Sequence, residues 1–278
     1  MGLEETKQLL RTHRISPNKL LGQNFMVEPS LYPKLSLYAA LSKGDVVLDA
    51  GAGFGWLTCY LADKCKHVVA VEKDPQLASV LREQVKGLGN VTVVEGDVLK
   101  ASLPDFSKVI AAPPYYLSSR LVTWILERKV ECAVLILQKE FANRIAAPVG
   151  SEEYGWLTVV TSQMAEVKLL DAIPKEMFYP PPEVNSVVVS LKPWTIKPFE
   201  VKNPALFMRL TKWLFTQRNK KLAKALQPFL KSNFKLKKPE AEKLALNLPY
   251  HDRRARELSP ENFGALSNAL SNQASTLR

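Results

Sequence analysis

Between residues 44 and 140 the chain alternates short, nearly unbroken apolar runs with longer stretches in which apolar residues recur every three or four positions. Asp45-Val-Val-Leu-Asp49, His67-Val-Val-Ala-Val-Glu72, Val91-Thr-Val-Val-Glu95, Lys108-Val-Ile-Ala-Ala112 and Ala133-Val-Leu-Ile-Leu137 read as buried strands, with helices near 55–64, 75–86 and 118–128. That rhythm predicts an α/β fold, a doubly wound Rossmann-like parallel sheet with helices on both faces and ligands at the carboxyl ends of the strands. Helices also fit 139–147 and 154–163. Two further strands fit 165–170 and 186–191, a late pair expected to close the sheet with a hairpin.

After Pro193 the pattern becomes helical over roughly 203–217, 220–232, 238–246 and 260–270, with little glycine and frequent Lys, Leu and Ala. Lys192-Pro-Trp-Thr-Ile-Lys-Pro198 breaks the pattern between the two regimes. Two domains are therefore expected, a large one over 1–196 and a small all-α one over 197–278.

Composition narrows the class. At 278 residues and 46% hydrophobic the chain can bury a large core. No apolar run approaches the roughly 20 residues of a membrane span, and residues 1–14 lack the apolar stretch of a signal peptide. A soluble, cytoplasmic protein, monomeric and without a membrane partner, is the expectation. Cys59, Cys65 and Cys132 form no CxxC pair and the three histidines lie far apart, so neither a disulfide framework nor a metal site is expected. Charge adds a partner. Lys plus Arg against Asp plus Glu is 21 against 21 in residues 1–194 but 17 against 6 in 195–278. A basic appendage on a neutral body suits nucleic-acid phosphates, although a solvated basic helix surface has the same composition.

Asp49-Ala-Gly-Ala-Gly-Phe-Gly55 follows the first strand and opens a helix, so Gly51 and Gly53 let backbone approach a ligand. A nicotinamide dinucleotide is the rival ligand, but the spacing is GxGxG rather than GxGxxG, and Asp49 would repel a pyrophosphate while suiting a cationic sulfonium. Glu72 ends the second strand, where it can accept ribose hydroxyls, and Asp97 follows the third, where it can accept an adenine amino group. Each acid alone could be a helix cap. Three at successive strand ends point to S-adenosylmethionine.

Ala112-Pro-Pro-Tyr115 follows the fourth strand and should lie beside the transferable methyl. It matches the (Asn/Asp)-Pro-Pro-Tyr turn of amine methyltransferases except at its first position. In isolation Pro-Pro-Tyr would be a rigid loop with a packed aromatic. In this frame Tyr115 can stack on an extruded base while acceptors around 112 and 113 hold the amine protons.

With these motifs the chain resembles the KsgA-type ribosomal RNA adenine dimethyltransferases over nearly its whole length. Leu21-Gly-Gln-Asn-Phe25 is similar to the family's N-terminal cofactor motif, implying that Gln23 and Asn24 meet the methionine end of the ligand. Gln138-Lys-Glu-Phe-Ala-Asn-Arg144 and Tyr154-Gly155 resemble further signatures. Phe178-Tyr-Pro-Pro-Pro-Glu-Val-Asn-Ser186 is similar to the family's F-x-P-x-P-x-V-x-S loop, implying that Phe178 faces Tyr115 across the target base. Leu214-Phe-Thr-Gln-Arg-Asn-Lys-Lys-Leu222 resembles its basic helix-turn, implying phosphate contacts from Arg218, Lys220 and Lys221. The implied reaction is S-adenosylmethionine-dependent dimethylation of two adjacent adenosines near the 3′ end of small-subunit rRNA, on pre-ribosomal small subunits.

Two positions depart from the family. Ala112 stands where relatives carry Asn, an introduced or a natural change that removes one acceptor for the N6 protons and leaves the Pro113 carbonyl as the other. Arg120 stands where many carry proline. A binding-only ribosome assembly factor and a large-subunit methyltransferase of the erythromycin-resistance type are the competing readings.

Overall fold

The computed structural model describes residues 2–276. A seven-stranded sheet forms from β1 (Val46–Ala50), β2 (His67–Glu72), β3 (Val91–Glu95), β4 (Lys108–Ala111), β5 (Cys132–Gln138), β6 (Ala165–Ile173) and β7 (Ser186–Pro193). Their order is β3-β2-β1-β4-β5-β7-β6. The first five are parallel wherever they pair, and β7 runs antiparallel to β5, with Gln138 opposite Ser186. The expected late strand pair thus forms one edge of the sheet.

The central strands are Val, Leu, Ile and Ala because both faces are covered; Val47, Leu48, Val109, Ile110, Leu135 and Ile136 are fully buried. Helices α1 (Leu3–Thr12), α2 (Leu31–Tyr38), α3 (Trp56–Ala62), α4 (Pro75–Gln84), α5 (Ser118–Leu126) and α6 (Lys139–Ile145) follow in chain order with the strands. The start of α4 is fixed locally by Pro75 in its first turn and by Asp74, whose side chain accepts the Gln76 N–H at 2.9 Å, a cap contributing about 1 kcal/mol. Arg120 is exposed in the first turn of α5, where a proline would also be tolerated. At the amino ends of β1 and β4, Lys108 and Asp45 form a buried ion pair at 2.9 Å, with the Lys108 ammonium also donating to the Ala40 carbonyl.

A short antiparallel ladder pairs Phe25 with Tyr179 and Met26 with Phe178, so the N-terminal segment is laced to the proline-rich loop.

Two compact units emerge, one made of the chain up to Ala142 plus Glu166–Pro193, the other of Asn143–Ala165 plus the chain from Trp194 onward. The expected division between 196 and 197 is corrected here: the second unit also takes α7 (Trp156–Met164), which the sequence pattern assigned to the first. Contacts distant in sequence make the difference. The Tyr154 hydroxyl donates to the Leu258 carbonyl at 2.8 Å, and the Lys212 ammonium lies 4.4 Å from the Trp156 ring centroid. The rest of this unit is α8 (Pro204–Thr216), α9 (Leu222–Phe234), α10 (Lys238–Asn247) and α11 (Pro260–Thr276), whose apolar faces bury Leu206, Leu210, Leu214, Leu226, Leu230 and Phe263. Among the described residues no helix is long and apolar enough to cross a membrane, and no three His, Cys, Asp or Glu side chains cluster as metal ligands.

Candidate active site

After β1 the glycine loop folds over the end of β2, with the Gly51 and Ala52 N–H groups both donating to the Val71 carbonyl at 2.8 and 3.0 Å. Gly51 sits at φ +80°, and a Cβ there would lie 2.9 Å from Pro114 Cδ. Conformation and close approach together require glycine at this position, and they press the loop onto the Pro-Pro corner that follows β4.

Glu72 is bound by three backbone donors. Its Oε2 accepts from Gly53 N–H at 2.8 Å, and its Oε1 from Lys73 and Asp74 N–H at 2.8 and 2.9 Å. Burial pushes its pKa above the usual carboxylate range despite these donors. Oε2 keeps acceptor capacity for a further hydroxyl. Asp49 is 1% exposed and accepts from the Thr58 hydroxyl at 2.7 Å. Burial raises its pKa from an ordinary 3.8 to about 7, with the Thr58 bond opposing the rise and Glu72 adding to it.

A cationic ligand beside Asp49 would favour the ionised form, so its binding would release a proton near neutrality and tighten as pH rises through about 7. The same raised pKa gives the ligand-free protein stability that is complete below the unfolded value of 3.8 and lost as pH climbs through about 7. Calorimetry with S-adenosylmethionine at pH 6 and pH 8, in buffers of different ionisation heat, is expected to show proton release and tighter binding at pH 8. An Asp49→Asn variant should lose both effects, and a flat wild-type profile would refute this role for Asp49.

One cleft collects most of the anticipated residues: Gln23, Asn24, Gly51, Gly53, Glu72, Ala112, Pro113, Tyr115 and Phe178 all line it. An adjoining cavity is lined by Asp49 and shares Asn24, Phe25, Gly51, Gly53 and Ala112 with the first. Asp97 lines neither; it lies beyond β3, with Oδ1 accepting the Leu99 N–H at 3.0 Å and Oδ2 3.9 Å from the Lys73 ammonium. Gln23 is held from two sides, its amide donating to Asp74 at 2.7 Å and its carbonyl accepting Asn18 N–H at 2.8 Å. Asn24 donates to the Gly22 carbonyl at 3.2 Å. Tyr115 is anchored by a 2.5 Å hydrogen bond between its hydroxyl and that of Ser186, and burial raises its pKa while this bond opposes the rise.

Sequence reading missed several lining groups. Lys73, Leu77 and Ile136 carry no motif, and Ser186 was quoted without a role. Ser186 reaches the site because β7 runs antiparallel and begins where β5 ends.

In the second unit the three basic candidates separate. Arg218 donates to the carbonyls of Glu152 and Ser151 at 2.9 and 3.1 Å, a loop-pinning role unlike a free phosphate contact, whereas Lys220 and Lys221 are exposed.

The buried acids, the open backbone at Gly51 and Gly53 and the apolar corner suit a nucleoside carrying positive charge, the chemistry of S-adenosylmethionine. Comparison with known proteins agrees. The ribosomal RNA adenine dimethylase family model matches residues 15–258. A probable ribosomal RNA small subunit methyltransferase A of Methanosarcina barkeri is 36% identical over 97% of this chain and 93% of its own. Among solved structures, a dimethyladenosine transferase from Plasmodium falciparum superposes with a TM-score of 0.79 at 26% identity, covering 90% of this chain and 98% of that one. The 23S rRNA methyltransferase ErmE gives 0.65 at 28% identity, covering 89% and 100%. The chain therefore belongs to the ribosomal RNA adenine dimethylase family and is an S-adenosylmethionine-dependent rRNA adenine methyltransferase with a class I Rossmann-like fold.

Proposed function

We propose that this protein dimethylates N6 of two adjacent adenosines near the 3′ end of small-subunit rRNA, acting as a cytoplasmic monomer on pre-ribosomal small subunits, at a rate depressed by Ala112. The observation that carries this reading is that Tyr115 and Phe178 line the same cleft as Gly53 and Glu72, so an extruded base held by the two rings would lie beside the cofactor. Glu72 Oε2 would accept ribose hydroxyls, Asp97 the adenine amino group, Gln23 and Asn24 the methionine end, and Asp49 would balance the positive charge.

The cofactor supplies an electrophilic methyl on a good leaving group. The chain's own work is positioning. Its Pro113 carbonyl accepts one N6 proton and so turns the amine lone pair out of conjugation, while Tyr115, fixed by Ser186, holds one face of the base. No side chain needs to act as a general base, because the alkylated amine loses its proton readily. Ala112 offers a methyl group where the second acceptor belongs. Lys220 and Lys221 would contact phosphates, with Arg218 shaping the turn that carries them.

Incubating the chain and its Ala112→Asn variant with labelled cofactor and either small-subunit particles or 23S rRNA is expected to put label only in the former, as N6,N6-dimethyladenosine. Label confined to 23S rRNA would instead favour the erythromycin-resistance reading. Tight RNA binding with no label from either protein would favour the binding-only one.

A further inference from the structure

Helix α1 carries Lys7 and Arg11 four residues apart, hence on one face, and Arg14 continues the row just beyond the helix at φ +54°. With Ser16, Pro17 and Tyr179 they line an open, shallow cleft in the catalytic unit, over the buried Leu10 and Ile15. The Lys7 ammonium lies 5.7 Å from the Tyr179 ring centroid and 2.9 Å from a Glu4 carboxylate oxygen. Among the described residues Arg11 and Arg14 form no ion pair with a carboxylate; Arg11 Nε donates to the Lys7 carbonyl at 3.3 Å.

This surface escaped the charge count, because the acids elsewhere in residues 1–194 cancel its three cations. The ladder that pairs Phe25 with Tyr179 and Met26 with Phe178 joins it to the active site. Phe178 lines the substrate cleft, and Tyr179, one peptide further along the strand, lines the basic one. Cations in a row beside an aromatic ring form the combination that binds single-stranded nucleic acid, the cations tracking phosphates and the ring stacking on a base.

We propose that the cleft formed by Lys7, Arg11, Arg14 and Tyr179 is a second RNA subsite, in which the three cations each hold one of the successive backbone phosphates beside the target adenosine while Tyr179 stacks on a neighbouring base. This rests on the reading of the chain as an rRNA methyltransferase. The subsite belongs to the catalytic unit and is separate from the basic helices after Pro193. It fixes which nucleotide reaches the space between Tyr115 and Phe178.

The test is fluorescence anisotropy of the full chain with a labelled hairpin of the small-subunit rRNA 3′ end, repeated across a salt series. Replacing all three cations by alanine is expected to weaken binding about tenfold or more near physiological salt. It should also lower the slope of log K against log salt by about 2, as loss of three phosphate contacts requires. Tyr179→Ala should weaken binding about fivefold or more, and Tyr179→Phe should leave it unchanged. Affinity for S-adenosylhomocysteine reports folding and is expected to be unaltered. Should the triple variant misfold, the single Arg14→Glu exchange at an exposed position gives the same readout. If the unaltered chain fails to bind the hairpin, the assignment of function fails. If it binds and the triple variant binds with equal affinity and slope, the subsite alone is refuted.

Discussion

Replacing Ala112 with asparagine is expected to raise methyl transfer to small-subunit rRNA by about 10²–10³, the size of effect seen when one donor or acceptor is restored at a preorganised polar site. Position 112 lines both cavities, so a carboxamide there borders the cofactor seat and the corner where N6 must lie. The gain should fall on kcat, because the added hydrogen bond strengthens as the amine becomes tetrahedral and contributes little while the adenine is planar. Cofactor affinity should change little, since Glu72 and the glycine loop are untouched. Single-turnover rates of the two proteins at saturating cofactor check this directly. Equal rates would remove Ala112 from the chemistry.

The second large effect is expected at Glu72. Its truncation to alanine removes the acceptor proposed for the ribose and strips Gly53, Lys73 and Asp74 N–H of their shared partner. A hydrogen bond to a charged group contributes about 1.5–3 kcal/mol, so loss of the ribose contact should weaken S-adenosylmethionine binding by about 10–10². The same substitution should lower the melting temperature, because three donors at a largely buried position lose their acceptor. Glu72→Gln keeps one carbonyl oxygen and should fall between the two on both measures. Calorimetric titration with differential scanning of the two variants separates the effects. Wild-type cofactor affinity in Glu72→Ala would sink the assignment.

The sheet was legible because four of its strands, β1, β2, β4 and β5, are buried and advertise themselves as nearly unbroken Val, Ile, Leu and Ala runs, while β3 at the edge is half-buried. The glycine loop and Glu72 were legible for a related reason: topology places the ends of parallel strands together, so motifs at those ends share a site. Contacts that close through space were not. Helix α7 has the same amphipathic pattern whichever core it joins; the burial of Val159 and Val160 in the second core, with the nearby Tyr154 bond to Leu258, assigns it to the second unit. Arg218 reads as a phosphate ligand in a basic run, yet two nearby carbonyls hold its guanidinium. Ser186 was part of a quoted motif, but its bond to Tyr115 depends on β7 running antiparallel to β5. Asp97 follows β3 as expected yet lines neither cavity; its contacts are with the Leu99 N–H and the Lys73 ammonium, which spacing does not encode.

A crystal structure with S-adenosylhomocysteine bound tests the central claim most directly. The expected result is a ribose hydroxyl within hydrogen-bonding distance of Glu72 and a sulfur turned toward the corner formed by Ala112, Pro113 and Tyr115. A nucleoside seated away from Glu72, or a sulfur facing away from Tyr115, would contradict it.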